Sequence, residues 1–110
     1  MSIPVSLDEL PDQITQFGEH PYLVTVAADS TPHATSIAVE WRGNVLVGGC
    51  GRRTAANISR NDKVALLWPA PPAGSYALIV DGLAGVQGRP EVGLTVAIQP
   101  FRAVLHVTTA

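Results

Sequence analysis

Charge, sulphur and aromatic rings are all scarce in this chain. Of its 110 residues 15% are charged and 5% aromatic, and there is one cysteine. A lone thiol, Cys50, cannot close an internal disulfide, so no covalent cross-link is expected to hold the fold. His20, His33 and His106 stand far apart, without the short spacing of a zinc motif, and no metal site is expected. Seven basic against nine acidic side chains give a net charge of −2. A general nucleic-acid binder needs a basic face to neutralise phosphates, so that class is excluded as a partner. No apolar run approaches the length of a membrane-spanning helix, and Met1 to Glu9 lacks the basic and apolar regions of a secretory signal. The expected location is the cytoplasm, with no membrane partner. No serine, histidine and aspartate have a spacing that suggests a nucleophilic triad.

What the chain does have is apolar surface. Hydrophobic residues make up 46% of the sequence, too many for disorder. With so few charges in so short a chain, part of that surface is expected to meet a partner, in the first instance a second copy. The length fits one domain over residues 1–110, with room for one core. Neither an internal repeat nor a low-complexity stretch divides it.

Leu7, Leu10, Ile14 and Phe17 recur at helical spacing, with Ser6 as N-cap and Glu9 placed to complete a capping box, which predicts one amphipathic helix. Pro11 is tolerated in its first turn. After His20-Pro21 the texture becomes β-branched. Tyr22 to Ala28 reads as a strand, Asp29 to Pro32 as a turn, and His33 to Trp41 as a strand with Thr35, Ile37, Val39 and Trp41 on one face. Arg42-Gly43-Asn44 turns the chain into a third strand, Val45 to Gly48. A short helix is expected over Thr54 to Arg60, then strands at Val64 to Trp68 and Tyr76 to Val86. Gly82 and Gly85 in the latter mark a bulge or a close backbone approach. Leu94, Val96 and Ile98 alternate on one face, and beyond Gln99-Pro100 the phase shifts to Phe101, Ala103, Leu105 and Val107. Pro100 is expected to bulge or break that strand. Six or seven short strands with two peripheral helices predict an all-β fold, an antiparallel barrel closed or nearly closed, because so apolar a sheet cannot leave long edges exposed.

The segment with the clearest chemistry is Gly48 to Ile58. Its glycines let backbone amides approach an anion, Arg52 and Arg53 can pair bidentately with phosphate oxygens, and Thr54 adds a hydroxyl at a helix start. Arg60 and Lys63, the one lysine, lie close by in sequence. The competing reading is a strand-to-helix turn whose arginines are merely solvated, and spacing alone leaves both open, since the Walker pattern is missing.

The order of parts carries more. Tyr22-Leu23-Val24-Thr25-Val26 is followed by a turn ending Pro32-His33 and a strand ending Glu40-Trp41-Arg42-Gly43. Then come Gly51-Arg52-Arg53-Thr54-Ala55-Ala56-Asn57-Ile58 and Val64-Ala65-Leu66-Leu67-Trp68. This order, over nearly the whole chain, resembles the pyridoxamine 5′-phosphate oxidase-like family of flavin-binding split barrels, particularly its small actinobacterial members. The resemblance implies a split β-barrel that dimerises and binds flavin mononucleotide (FMN), or in some branches a deazaflavin or haem, in a groove between two subunits. Carried over by position, Thr35, Ser36 and Ile37 would line the isoalloxazine ring. Arg52 and Arg53 would meet the phosphate, helped by Thr54 and the backbone about Gly49 and Gly51. Asn57 and Ile58 match residues that commonly follow. Thr54 stands where many members have a phosphate-binding lysine, which leaves the anion to the arginines. The chain ends at Ala110 without a counterpart of the C-terminal substrate segment of the vitamin B6 oxidases, so pyridoxine phosphate is not the implied substrate.

Trp68 and Trp41 have two readings, stacking on a ring or packing in a core or dimer contact. His33 reads as a solvated strand residue, Cys50 as an inert small residue or a thiol activated beside Arg52, and Asp81 as a structural carboxylate rather than a ligand contact. Three functions remain open at this level: an FMN-dependent oxidoreductase, a flavin or deazaflavin carrier without turnover, and a cofactor-free split-barrel dimer.

Overall fold

The computed structural model describes residues 2–107. Along them run β1 (Ser2–Val5), α1 (Leu10–Phe17), β2 (Tyr22–Val26), β3 (Pro32–Ser36), β4 (Glu40–Arg42) and β5 (Val45–Cys50). They are followed by α2 (Arg52–Arg60), β6 (Lys63–Trp68), β7 (Tyr76–Arg89) and β8 (Gly93–Val107). The eight strands form one antiparallel sheet in the order β3-β2-β6-β7-β8-β5-β4, with β1 added on β8. The long β8 organises it. Leu94–Ile98 pair with β5, Ala103–His106 pair with β1, and β7 runs along the other side. No helix among the described residues is long and apolar enough to cross a membrane.

β3 and β4 lie at opposite edges of this path. The sheet is therefore not closed by strand pairing, and the chain itself crosses the gap through residues 37–39. The Ile37 N–H donates to the Pro21 carbonyl at 3.0 Å and the Val39 N–H to that of Glu19 at 2.9 Å. This is a split barrel. The continuous strand expected from His33 to Trp41 is thus two strands joined by a crossing, although its alternation holds, with Ile37 and Val39 buried. Gly48 allows the crossing to lie close, because a Cβ there would collide with the Ala38 carbonyl oxygen and the Ile37 side chain. The split strand and the N-terminal β1 raise the count to eight.

The Ser6–Glu9 bonds form as the capping box requires. The Ser6 N–H donates to Glu9 Oε1 at 3.3 Å, and the Glu9 N–H donates to Ser6 Oγ at 3.3 Å. They close a turn just ahead of the helix rather than its first turn, and α1 begins at Leu10. Pro11, which lacks an N–H, occupies the start of the helix, where that donor has no intrahelical acceptor. Leu10 and Ile14 bury its apolar stripe.

The phase shift in β8 is a bulge. Asp81 pairs with Arg102 but Gly82 pairs with Pro100, so Phe101 is the extra residue. The buried face passes from Val96 and Ile98 to Ala103 across it. Gly82 is required opposite, since a Cβ there would stand 2.6 Å from Ile98 Cγ2. The core collects Leu23, Leu46, Leu66, Trp68, Leu78, Val80 and Ile98 inside the sheet.

Candidate functional site

The helix α2 starts directly from β5, with Gly51 as N-cap in an extended conformation, φ −88° and ψ 176°, and no side chain capping it. Its first-turn N–H groups have no intrahelical acceptors, and a Cβ at Gly51 would meet nothing within 4 Å, so the approach to them is open. Thr54, Asn57 and Ile58 form the inward stripe of the helix. Arg52 and Arg53 remain exposed on the outer side.

Asn57 is only 4% exposed, and its Nδ2 donates to the buried Thr25 Oγ1 at 3.0 Å. The residue assigned to the ligand by motif is therefore spent on anchoring α2 to β2. A buried polar pair of this kind is costly to break, because the orphaned group keeps its full desolvation penalty. The anchor sets the rotation of the helix, and so the direction of Arg53 and Arg60, four before and three after it.

Two clefts adjoin this helix. One, of about 360 Å³, is bounded by Thr35, Ser36 and Ile37 on one side and Gly49, Cys50 and Gly51 on the other. Residues more than ten positions apart in sequence are thus brought face to face. The second, of about 620 Å³, lies between the turn at Ala27–Pro32 and the Arg53, Asn57 and Arg60 face of α2. β3 borders both, with Pro32 and His33 in the second and Thr35 and Ser36 in the first.

The charges are unbalanced here. Ion pairs among the described residues join Arg42 to Glu40 at 3.0 Å and Arg102 to Asp81 at 2.8 Å, and none includes Arg52, Arg53 or Arg60. Asp81 is thereby the structural carboxylate that the sequence suggests. Asp29, on the rim of the second cleft, is held below the ordinary carboxylate range by hydrogen bonds from the Thr31 side chain and backbone. Burial pushes the Cys50 thiol up, away from the reactive thiolate, which favours the inert reading of that cysteine.

Three sequence assignments change. Trp68 is 1% exposed and its Nε1 donates to the Gly18 carbonyl at 2.8 Å, so it belongs to the core and offers no face to a ring. Thr54 is 2% exposed and belongs to the inward stripe of α2. His33 is not a solvated residue. It is half-buried on the second cleft, opposite Thr25 in the strand register, with Nδ1 buried and unpartnered. An unsatisfied buried nitrogen costs about 1–3 kcal/mol. The alternation that places His33 on the face of Thr35 and Ile37 was the available signal for this. Trp41 lies elsewhere, lining a cavity with Leu7, Leu10, Pro11 and Pro100.

No family model matches the chain. An uncharacterized protein of Mycobacterium bovis is 30% identical to it over 80% of this chain and 72% of that one. Many solved structures share its fold, and three of them illustrate it. A candidate pyridoxamine 5′-phosphate oxidase of Listeria innocua superposes with a TM-score of 0.70 at 20% identity, covering 88% of this chain and 98% of that one. An F420 reductase gives 0.65 at 21%, covering 76% and 87%. The haem storage protein HutZ of Vibrio cholerae gives 0.69 at 15%, covering 94% and 95%.

Proposed function

We propose that the chain, which shares the split-barrel fold of a candidate pyridoxamine 5′-phosphate oxidase, is a member of the pyridoxamine 5′-phosphate oxidase-like family and an FMN-dependent oxidoreductase, a cytoplasmic homodimer of single-domain subunits. The observation that carries this reading is the pair of arginines, Arg52 and Arg53, without an ion-pair partner among the described residues, at the open start of α2, beside a cleft walled by Thr35–Ile37 and Gly49–Gly51. The residues fit the cofactor. Arg52, Arg53 and the amides after Gly51 hold its phosphate, and Thr35, Ser36 and Ile37 border its ring. The missing Cβ at Gly49 and Gly51 lets backbone come close. The flavin supplies the hydride or electron transfer. The protein's part is to bind, orient and keep water from the cleft, with no side chain required as acid or base. Similarity to an F420 reductase keeps a deazaflavin as the second reading, and HutZ keeps haem as a third.

The test is reconstitution. Protein mixed with FMN and passed over a gel-filtration column is expected to retain a yellow, flavin-type absorption spectrum at up to one flavin per chain. A colourless protein that takes up no FMN, or one that takes up only haem, would remove the proposal.

The dimer is supported by the outer face of the sheet. Tyr22, Leu67, Ile79 and Val104 are cross-strand neighbours in one row over β2, β6, β7 and β8, on the side away from the core. Tyr22 is 46% exposed there, and Leu83 is exposed on the same side of β7. Burying such a face against a second copy satisfies the apolar excess read from composition. Sedimentation equilibrium at micromolar concentration is expected to give twice the chain mass, and a monomer would count against it.

A further inference from the structure

A third cavity, of about 550 Å³, lies away from both clefts, between the start of α1, the Gly43-Asn44 turn and the bulge of β8. Leu7, Leu10, Pro11, Trp41 and Pro100 give it apolar walls. It lies on the inner side of the sheet, because Trp41 stands in one cross-strand row with the buried Leu46 and Ile98. The face assigned above to a second copy is the outer one, so the two surfaces are distinct. The volume is in the range of small-molecule sites, and the walls are stiff. Pro11 and Pro100 are fixed in φ by their rings, and Gly43 holds the turn at φ +63°.

Two features set this cavity apart from a gap in the packing. Leu7 is 48% exposed on it, an apolar side chain that the fold leaves half uncovered. Trp41 Nε1, by contrast, is closed off from water and finds no hydrogen-bond partner among the described residues. The other tryptophan differs, since the Trp68 N–H is satisfied by the Gly18 carbonyl. A buried donor without an acceptor is unfavourable, and an acceptor brought in from the cavity side relieves it. Asp8 is the one charged residue on the lining. It repels a carboxylate, sulfonate or phosphate, so the missing acceptor is an uncharged one.

We propose that this cavity binds an uncharged, largely apolar molecule bearing a carbonyl group. The carbonyl oxygen accepts the Trp41 N–H, while the apolar body covers Leu7 and lies against the two prolines. Because Nε1 is enclosed, the indole turns toward the cavity as the ligand seats, a movement that no hydrogen bond of the ring opposes. The site uses neither Arg52 nor Arg53, and it stands apart from the flavin reading.

The experiment is a fluorescence titration with prodan, an uncharged naphthalene ketone that brightens in apolar surroundings. Wild type is expected to show one saturable site per chain, with a Kd on the order of micromolar. Trp41→Phe keeps an aromatic wall and removes the donor, so it should weaken prodan by about three- to tenfold. Dimethylaminonaphthalene, the same ring system without the ketone, should bind wild type and Trp41→Phe alike, as read by displacement of prodan. Leu7→Asp changes an exposed side chain and adds a second negative charge beside Asp8. It should weaken prodan by about tenfold or more with an unchanged circular dichroism spectrum. Anilinonaphthalene sulfonate, an anion of similar size, should bind wild type about tenfold more weakly than prodan does. The absence of saturable prodan binding, or binding indifferent to Leu7→Asp, would overturn the proposal. So would a loss in Trp41→Phe that is equal for the two naphthalenes, because the N–H would then have no acceptor in the ligand. A sulfonate bound as tightly as the ketone would overturn the uncharged class.

Discussion

Replacing Trp68 by alanine is expected to lower the unfolding free energy by about 3–5 kcal/mol, the range for deleting a large buried aromatic side chain. The ring is enclosed at the end of β6, and its N–H is satisfied by the Gly18 carbonyl just after α1. Alanine removes the packing and leaves that carbonyl to find water, while the gap cannot close without moving α1 against the sheet. Trp68→Phe keeps most of the volume and loses the hydrogen bond, so its cost should be nearer 1 kcal/mol. Urea denaturation at a fixed protein concentration measures both, the concentration being held because dimerisation contributes to apparent stability. A loss below about 1 kcal/mol for the alanine variant, accompanied by weaker FMN binding, would move Trp68 from the core to the ligand.

Arg52→Ala and Arg53→Ala are each expected to weaken FMN binding by about ten- to a hundredfold, with little change for riboflavin. A charge-assisted contact to phosphate contributes about 1.5–3 kcal/mol, which converts to that range of affinity. Riboflavin lacks the phosphate, so it reports on the ring cleft alone and serves as the internal control. Both arginines are exposed and make no ion pair among the described residues, so their loss should leave the melting temperature nearly unchanged. Equal losses for the two ligands would mean that the arginines support the fold. Unchanged FMN affinity in both variants would place the phosphate elsewhere.

Local chemistry made much of the architecture readable. The alternation in Tyr22–Val26, at positions 33–41 and in Val64–Trp68 marks which side chains face inward. The exchange of phase at Gln99-Pro100 marks the bulge in β8, and the Ser6–Glu9 pair marks the turn that leads into the first helix. Each of these is a short-range signal, fixed by the period of a strand or by bonds between residues a few positions apart. The cluster Gly51-Arg52-Arg53 is likewise visible as a place for an anion, because its charge and backbone freedom are properties of adjacent residues.

Only the tertiary structure decided which of those residues can serve a ligand. Asn57 and Thr54 follow the arginines in sequence, yet the helical period turns them inward, and Thr25, far away in the chain, claims the Asn57 amide. Trp68 keeps ring contact as a second reading beside core packing until the carbonyl of Gly18 is found at its nitrogen. His33 and Arg60 lie on different elements, and nothing local announces that the pairing of β2 with β3 and the docking of α2 on β2 set them around one cleft. The break at residues 37–39 has the same origin. Hydrophobic alternation fixes the face of each residue but not its pairing partner, and the partner changes there from β2 to β5 because the strand passes from one edge of the sheet to the other. Periodicity along a chain records burial, whereas a binding site depends on which buried and exposed groups from distant segments converge, and that is set by packing.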